Sequence, residues 1–465
     1  MISASARQGS RLLLLVVLAG LTYANAWHGG FQFDDFSAIL ENPHVADTGA
    51  FTGHLDHMVR PVLYATFLFD RAVYGMNATG YHLLNFLFHL GSGILVYCIL
   101  TRAVTEGSQQ VPFWTALLFL VHPIHTETVT YISGRASGLM AFLYFLALFL
   151  YIKASESRDA GKIYLSGAVV AGLLSIGSKE TAVTLPMAFL LWDVLIRRLR
   201  GPSLRAVFRS SHLPFWILLL FAAGWAWSHP RYTYLAQFSF QLRPLWDNVL
   251  SEAHAVAYAL LLFFRPWKQN FDHDLSEFHS LSQWPLPFDM LALGALIAVA
   301  AGMAHRLPLA SFGIGWFFLQ ILPTSLIPRA DLLSERNLYL ASVGLFLALV
   351  VVSATLSARC GKMVKNPRLV GSVGASMASV LVVGLCLMTV QRNTLYRDQL
   401  SLWSDAVSKS PKKARPHNNL GHAYAVHGDW DRAIEEFRTA AQLDPGYVLA
   451  QENLRNAYLH RAGRQ

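Results

Sequence analysis

The sequence predicts an all-α polytopic membrane protein that ends in a small helical-repeat domain. Of its 465 residues, 54% are hydrophobic and 14% are charged, a composition typical of multi-pass membrane proteins. Many apolar segments have the length of a membrane-spanning helix, and near residue 391 the pattern changes to that of a helical repeat. We therefore expect a membrane domain over residues 1–390 and a repeat domain over residues 391–465.

The apolar segments follow one another with short polar connections between them. Their approximate bounds are 12–27, 82–103, 112–131, 137–153, 162–178, 181–197, 212–228, 248–264, 288–304, 309–327, 337–357 and 369–390. Each is near the length that a spanning helix needs. The part of the first segment from Leu12 to Gly20, followed by Ala24-Asn25-Ala26, also resembles a secretory signal peptide with its cleavage site. We expect it to be retained, since its apolar length reaches Trp27.

Basic loops indicate which way the predicted helices run. Positively charged residues of short loops stay in the cytoplasm, and three loops qualify: 153–162, 197–209 and 358–368. Counting from the last two places the amino terminus inside and the residues after 390 outside, which requires an odd number of crossings. The segment 248–264 carries charged residues, so we expect it to lie in an outer loop, 229–287, and the chain to cross about eleven times. Twelve crossings with a cytoplasmic tail are the alternative.

Composition argues against several other classes of protein. The formal net charge of +9 comes from the basic loops and reports orientation, so we expect no nucleic-acid partner. The cysteines Cys98, Cys360 and Cys386 lie in or beside apolar segments without a CxxC spacing, which argues against a disulfide framework or a zinc site. The sequence contains no Walker motif, no dinucleotide-binding glycine motif and no nucleophile elbow.

Two adjacent carboxylates follow the first predicted span. Asp34 and Asp35 stand among aromatic residues in the outer loop 28–81, at the rim of the predicted bilayer. A carboxylate near lipid loses hydration, which raises its pKa and makes it a better proton acceptor. The alternatives are that the pair only caps a helix, or that it shares a proton or a divalent cation. His125 and Glu127 could also ligate a metal, although no partner motif accompanies them.

Further polar residues stand at the outer ends of other predicted spans. They are Arg60, His82, Asn85, His122, His125, Glu127, Arg135, Lys179, Glu180, Glu335 and Arg336. Structural alternatives exist for several of them. His82 and Asn85 could hydrogen-bond to other helices, His122 could fix a broken helix end, and the glutamates beside Lys179 and Arg336 could form local ion pairs with them.

Convergence of these groups favours a functional site. Acids and bases from several outer ends can form one charged pocket beside the lipid, where an anionic lipid headgroup could enter. Transfer of a sugar from a polyprenyl phosphate fits this layout. An acid would take the proton of an acceptor hydroxyl, and a cation would stabilise the departing phosphate.

The tail matches the ~34-residue tetratricopeptide repeat. With Ala414 at the first position, the signature positions are filled by Leu420, Gly421, Tyr424, Ala433, Phe437, Ala440 and Pro445. Partial matches on both sides indicate one whole repeat between two halves. Because fewer than ~3 repeats do not bury their own faces, we expect the tail to lean on the membrane domain or on another protein.

As an ordered set, these motifs resemble the transmembrane and tetratricopeptide-repeat O-mannosyltransferases and their bacterial relatives. The segments that carry the resemblance are Phe33-Asp34-Asp35 with Asn42-Pro43, Arg60-Pro61, Gly80 to Asn85, His122 to Glu127, Gly134-Arg135, Ser178-Lys179-Glu180 and Glu335 to Leu340, followed by the repeats. The resemblance implies a GT-C-like core of about eleven transmembrane helices. It also implies that the acidic pair is the catalytic base and that a lipid-phosphate-linked sugar is the donor.

The sequence departs from this family in three places. Ser137 stands where the family usually has an acidic residue, and Ala341 stands where it has a proline. The repeat array is also short, which points to a bacterial member and leaves the sugar and the acceptor open.

We therefore expect an inverting glycosyltransferase that moves a sugar from a polyprenyl-phosphate donor to a hydroxyl of an extracytoplasmic protein. The expected roles are catalysis by Asp34 and Asp35, and donor-phosphate binding by Arg336, Lys179 and Arg135. The other candidates would line the pocket, and a divalent cation at the acidic pair is the one cofactor we consider.

The expected location is a cytoplasmic membrane, with the pocket and the repeats on the periplasmic side, or the endoplasmic reticulum with both in the lumen. Two alternatives come from other functional classes. One is a transporter or flippase of lipid-linked sugars, and the other is a membrane-anchored repeat scaffold without catalysis.

Overall fold

The computed structural model describes residues 4–104, 109–157, 159–363 and 367–463. Every regular element in these residues is a helix, and no strand occurs among them. The all-α class predicted from the apolar segments is therefore confirmed.

The first part of the membrane domain holds nine α-helices. They are α1 (Ala4–Tyr23), α2 (Thr48–Thr52), α3 (Pro61–Tyr74), α4 (Ala78–Ala103), α5 (Gln110–Val121), α6 (Thr126–Val129), α7 (Arg135–Glu156), α8 (Gly161–Ile176) and α9 (Leu185–Leu195). The predicted segment 112–131 ends early, at Val121. The chain turns there because Pro123 has no N–H to donate and because the His122 ring accepts from the Ile124 N–H at 3.1 Å.

The second part holds eight more α-helices, one or more for each remaining predicted segment. They are α10 (Gly201–Val207), α11 (Leu213–Ser228), α12 (Pro230–Leu242), α13 (Leu245–Leu262), α14 (Leu286–Met303), α15 (Pro308–Leu326), α16 (Leu338–Met363) and α17 (Pro367–Asn393). Counting both parts, eight helical stretches among the described residues are long and apolar enough to cross a membrane. Two shorter apolar helices, α5 and α8, accompany them.

The helices of the bundle run between two chemically different ends. The aspartate end carries Asp34 and the segment 29–60, whereas the basic end carries the loop 197–209 and the end of α16, 359–363. In the part of the chain that the structure describes, eleven helices connect the two ends. They are α1, α4, α5, α7, α8, α9, α11, α14, α15, α16 and α17. Eight of the described stretches are long and apolar enough to cross a membrane, so the count of about eleven crossings stays a prediction.

The helix α13 does not connect the two ends. The sequence predicted this arrangement for the segment 248–264. Near its start, Asn248 Nδ2 donates to Ser325 O at 2.9 Å, close to the last turn of α15. Just after its end, Phe263 O accepts from His122 Nε2 at 3.2 Å. Because both partners lie at the aspartate end, α13 lies along that end of the bundle.

A close crossing of α15 and α16 supports the start of α16. A Cβ atom on Gly313 would lie 2.3 Å from Gly344 O, and one on Gly344 would lie 2.1 Å from Gly313 O. Only glycine allows the two backbones to approach this closely, as at other helix crossings in membranes. The crossing thus helps to hold the start of α16. Glu335 and Arg336 stand just before this helix.

The tail forms four helices: α18 (Gln399–Lys409), α19 (Ala414–Val426), α20 (Trp430–Leu443) and α21 (Val448–Ala462). The pair α19 and α20 packs around Phe437 and Ala433. Gly421 is required in this pair, because a Cβ there would lie 2.7 Å from the Phe437 ring. This helix pair coincides with the whole repeat predicted from Ala414.

The tail leans on the aspartate end of the membrane domain. The Trp403 ring lies 5.3 Å from the rings of both Phe33 and Phe271. Arg415 donates to Asp272 Oδ2 at 2.7 Å, and Lys413 donates to the same carboxylate at 2.6 Å. The repeats are thereby fixed at the same end of the bundle as the acidic pair.

Candidate functional site

The candidate site lies where several breaks between helices meet at the aspartate end. The segments are 31–36, 122–137, 177–180 and 334–337. In such breaks the backbone leaves helical geometry, so side chains are held by specific contacts with other segments instead of by a regular helix. The contacts of each candidate residue therefore decide its role.

Asp34 is the acid of the pair that faces solvent. It follows Phe33, whose φ of 40° lies in the left-handed region that non-glycine residues rarely adopt. The Asp34 N–H donates to Tyr131 Oη at 2.9 Å, and the side chain is 41% exposed. Backbone strain of this kind costs on the order of 1–3 kcal/mol and concentrates at functional sites. The turn thus presents the Asp34 carboxylate to solvent.

Asp35 has the opposite environment. Its side chain is fully buried. One oxygen accepts from the Gln32 N–H at 2.8 Å, and the other accepts from the N–H and the hydroxyl of Ser133. Burial raises the pKa of Asp35 to about 7, although the hydrogen bonds from Ser133 and Gln32 act to lower it. Both oxygens are used, so Asp35 ties the acidic turn to the chain before α7.

Arg336 is the cation nearest to Asp34. Its backbone N–H donates to Glu127 Oε2 at 3.1 Å. Its guanidinium lies 3.6 Å from Asp34 Oδ2 and 3.6 Å from Glu127 Oε1, and the side chain is 31% exposed. Both contacts are too long for hydrogen bonds, and none of the hydrogen bonds among the described residues engages this guanidinium. Its N–H groups therefore remain available to a ligand.

Lys179 is a buried amine without an acidic partner. Its Nζ donates to Ser137 Oγ and to Asn337 Oδ1, each at 2.7 Å. In the described part of the chain, no carboxylate lies within ion-pair distance of Nζ. Burial lowers the pKa of Lys179 well below its ordinary value, and repulsion from Arg60 and Arg336 adds to the effect. A bound anion would supply the missing negative charge.

The glutamates next to these two cations in the sequence do not neutralise them. Glu180 accepts from Arg60 Nε at 2.9 Å and from Arg60 Nη2 at 2.8 Å. Glu335 is fully buried, 2.8 Å from Arg392 Nη1. The local ion pairs that the sequence left open as alternatives are therefore wrong. We refer to Asp34, Glu127, Lys179 and Arg336 as the open cluster.

Arg135 belongs to a second group, which we refer to as the closed cluster: Asp70, Tyr81, Asn85 and Arg135. The Arg135 side chain is fully buried, and its Nη1 lies 2.5 Å from Asp70 Oδ2. Nε donates to Asn85 Oδ1 at 2.6 Å, and Nη2 donates to Tyr81 O at 2.9 Å. Arg135 has no exposed surface with which to hold a phosphate, so its position contradicts the predicted donor-binding role. Asn85 is likewise structural, because its Nδ2 donates to the backbone oxygens of Tyr131 and Ile132.

The candidate histidines make structural hydrogen bonds. His82 Nε2 donates to Gly29 O at 3.1 Å. His122 ends α5 through the contact with Ile124, as one of the alternatives from the sequence proposed. His125 Nδ1 donates to Phe119 O at 2.7 Å. All three rings are buried, so they connect segments of the bundle and do not face solvent beside Asp34.

The residues present do not fit a metal ion. Both oxygens of Asp35 accept hydrogen bonds from the protein, and Asp34 faces Arg336. His125 is bonded within the helix packing, whereas Glu127 is directed to Arg336. Among the described residues, no group of three or more His, Cys, Asp or Glu side chains is placed to hold a metal.

Four residues of the site were not among the sequence-predicted candidates: Tyr131, Ser133, Ser137 and Asn337. Tyr131 positions the Asp34 backbone, Ser133 holds Asp35, and the other two hold Lys179. Each stands within four residues of Arg135 or Arg336. Polar side chains close to a charged motif were thus the signal that could have found them.

A family model for the tetratricopeptide repeat matches residues 414–447, which confirms the repeat predicted from Ala414. The chain is also similar to animal protein O-mannosyl-transferases. It is 25% identical over 473 residues to one from Caenorhabditis elegans, covering 95% of this chain and 64% of the relative. It is 25% identical over 499 residues to protein O-mannosyl-transferase TMTC4 of Homo sapiens, covering 91% and 65%.

A shorter match, 30% identical over 192 residues, joins 38% of this chain to 22% of protein O-mannosyl-transferase Tmtc1 of Drosophila melanogaster. The chain spans less than two thirds of the length of these relatives. The family resemblance inferred from the ordered motifs is confirmed. Among solved structures, the crystal structure of ArnT from Cupriavidus metallidurans bound to undecaprenyl phosphate aligns with 97% of this chain and 78% of that chain, at 13% identity and a TM-score of 0.43.

Proposed function

We propose that this chain, which resembles the protein O-mannosyl-transferases over most of its length, is a membrane glycosyltransferase that moves a sugar from a polyprenyl-phosphate donor to a protein hydroxyl. The open cluster carries the proposal. It combines one exposed carboxylate with a guanidinium 3.6 Å away that makes no hydrogen bond among the described residues, and with a buried amine bound only to neutral oxygens. A base and phosphate-binding cations are the groups that this transfer needs.

Asp34 is the proposed general base. Its carboxylate takes the proton of the acceptor hydroxyl while the hydroxyl oxygen attacks the anomeric carbon of the sugar. The bond between that carbon and the phosphate oxygen breaks, and polyprenyl phosphate leaves with one additional negative charge. A single displacement of this kind inverts the anomeric configuration. General-base catalysis typically contributes about 10²–10⁴-fold in rate.

Arg336 and Lys179 are the proposed ligands of the departing phosphate. The guanidinium presents a planar fork of donors that fits phosphate oxygens, whereas the amine supplies a point charge. Lys179 is only 8% exposed, and a charge buried this deeply interacts strongly with a bound anion. Glu127 and Asp35 are positioning residues. Glu127 orients Arg336, and Asp35 holds the acidic turn in place.

The main test uses the purified full-length protein in lipid nanodiscs, a polyprenyl-phosphate hexose and a serine- and threonine-containing peptide. We expect release of polyprenyl phosphate and formation of glycopeptide, both reduced by about 10²–10⁴-fold in Asp34→Asn. The matched control is Asp56→Asn in the same loop, where the carboxylate is 75% exposed and outside the open cluster. It should act as the wild type does.

Three results would overturn the proposal. Normal transfer by a folded Asp34→Asn variant would remove the base assignment. A protein that moves the donor lipid across the membrane without cleaving it would be a transporter or flippase instead. Full biological activity with Asp34 neutralised and no cleavage would favour the repeat scaffold.

The position of the tail supports a polypeptide acceptor. Trp403 packs on Phe33, the residue before Asp34, so a peptide held by the repeats would lie near the proposed base. The repeats could dock an acceptor peptide or serve as a lid over the acidic turn. Deleting 414–465 distinguishes these roles. Docking predicts that glycopeptide formation is lost while hydrolysis of the donor lipid is retained, whereas a lid predicts that both fall together.

We place the aspartate end outside the cytoplasm, since the loops of the basic end have the composition of cytoplasmic loops. In a bacterium this side is the periplasm. A cysteine in place of the exposed Asp444 should react with a membrane-impermeant thiol reagent in intact cells. The exposed native Cys360, at the basic end, is the internal control and should react only after the membrane is opened. The reverse labelling pattern would place the repeats in the cytoplasm.

A further inference from the structure

A groove of about 590 Å³ opens at the basic end of the bundle. It lies where α4 ends, α5 begins, α15 begins and α16 ends, and its walls include Val111, Leu309, Val351 and Ala354. The volume falls within the ~300–1,000 Å³ that ligand sites usually have. Along α16 the groove is separated from Arg336 by about 22–39 Å, at 1.5 Å per residue. The groove is therefore distinct from the open cluster.

Two cations stand at one edge of this groove. Arg359 and Lys362 lie on α16, three residues apart, so they share a helix face. Both side chains are exposed, and neither forms an ion pair within the described residues. By contrast, Arg102 at the same end is paired with Glu156 at 3.3 Å. The groove thus joins an apolar wall to positive charge that the described structure leaves uncompensated.

An apolar wall with a cationic edge, at the end of a membrane bundle, matches the two parts of an anionic membrane lipid. Long basic side chains at helix ends reach the level of the headgroups. Basic pockets between transmembrane helices bind anionic lipid headgroups. A soluble anion would satisfy Arg359 and Lys362 but would leave the apolar wall unfilled.

We propose that this groove binds an anionic glycerophospholipid of the leaflet at the basic end. One acyl chain lies against Val111, Leu309 and Val351, and the phosphate lies between Arg359 and Lys362. This groove is separate from the proposed donor site. Lipid binding in the groove therefore does not depend on the proposed sugar transfer.

Native mass spectrometry of the full-length protein, titrated in detergent with phosphatidylglycerol or phosphatidylcholine, tests the proposal. We expect one retained phosphatidylglycerol and weak retention of phosphatidylcholine. Arg359→Gln combined with Lys362→Gln should weaken phosphatidylglycerol retention by about 30-fold, the factor for two cations near an anionic lipid. Ala354→Phe, which fills the groove but keeps both charges, should also weaken it.

The matched control is Arg205→Gln combined with Arg209→Gln, which removes two exposed cations at the same end but outside the groove. It should retain phosphatidylglycerol as the wild type does. Equal retention of the two lipids by the wild type would overturn the proposal. So would wild-type retention in the Arg359 and Lys362 double variant, or displacement of the lipid by inorganic phosphate or by polyprenyl phosphate at equal concentration.

Discussion

The open and closed clusters each contain an aspartate and an arginine, and they differ in how completely these two groups are paired. In the closed cluster, Arg135 is fully buried 2.5 Å from Asp70 Oδ2, and Asn85 and Tyr81 accept from its other N–H groups. In the open cluster, Arg336 is 31% exposed and 3.6 Å from its nearest carboxylates. A saturated arginine stabilises the fold, whereas an under-paired one retains donors for a ligand. Whether the N–H groups of an arginine are already bonded therefore distinguishes a structural arginine from a ligand-binding one. The presence of a charged motif in the sequence does not.

Breaking the closed cluster should have the largest effect on stability. Asp70→Ala leaves the Arg135 charge buried without a partner, which costs about 3–5 kcal/mol of unfolding free energy. Thermal unfolding in detergent measures the loss. The fraction that remains folded should transfer sugar at a normal rate, because both side chains are fully buried and lie outside the open cluster.

The matched control replaces the whole pair, as Asp70→Leu with Arg135→Met. Because removal of both charges leaves no unpaired ion, this double variant should recover most of the lost stability. If Asp70→Ala instead kept full stability and lost transfer, the division between the two clusters would be wrong.

The next effect concerns Arg336 in the open cluster. Arg336→Ala should lower kcat/KM for the donor by about 10–100-fold, the usual loss for a charge-assisted contact to phosphate, with little change in thermal unfolding. Arg336→Lys should recover only part of it, because a point charge replaces a planar fork. Steady-state kinetics with varied donor measure both, and equal kinetics for wild type and Arg336→Lys would contradict the fork.

A smaller effect should appear in how donor binding depends on pH. The pKa of Lys179 is lowered by burial and by neighbouring guanidinium groups, so the amine loses its charge at a lower pH than an ordinary lysine. KM for the donor should then rise as pH increases through this lowered pKa. Ser137→Asp places a carboxylate on Nζ, raises the pKa, and moves the rise to higher pH.

The control for this pH profile is Ser137→Asn, which keeps a neutral oxygen near Lys179 Nζ. It should leave the profile where the wild type has it. A wild-type profile that is flat up to the ordinary range of lysine would show that Lys179 does not titrate with donor binding.

The smallest expected effect is on the pH dependence of stability through Asp35. Its pKa of about 7 in the folded protein is above the ordinary 3.8, so between these values the folded protein keeps a proton that the unfolded chain loses. The contribution of Asp35 to stability is therefore present below about pH 4 and is lost as pH rises to about 7. Asp35→Asn should reduce the difference in Tm between pH 5 and pH 8, whereas Asp56→Asn should leave it unchanged.

Much of the architecture could be predicted from local pattern. The apolar lengths predicted the helices, and the charges of the segment 248–264 correctly removed α13 from the helices that connect the two ends. The spacing from Ala414 predicted the repeat that the family model matches. Helix length, amphipathic spacing and loop charge are properties of neighbouring residues, so they can be read along the chain.

The roles within the site could not be predicted in the same way. From the sequence, Asp34 and Asp35 were equivalent, and Lys179 and Arg336 each had a glutamate beside them. The structure separates them through distant partners, since Asp35 is held by Ser133, 98 residues away.

The sequence by itself determined which residues are charged and which segments are helical. Only the tertiary structure decided which charges are paired. The physical reason is that an ion pair depends on distances of a few ångströms between segments brought together by packing. Lys179 and its partner Asn337 are 158 residues apart, so no local pattern records that the amine meets a neutral oxygen instead of a carboxylate.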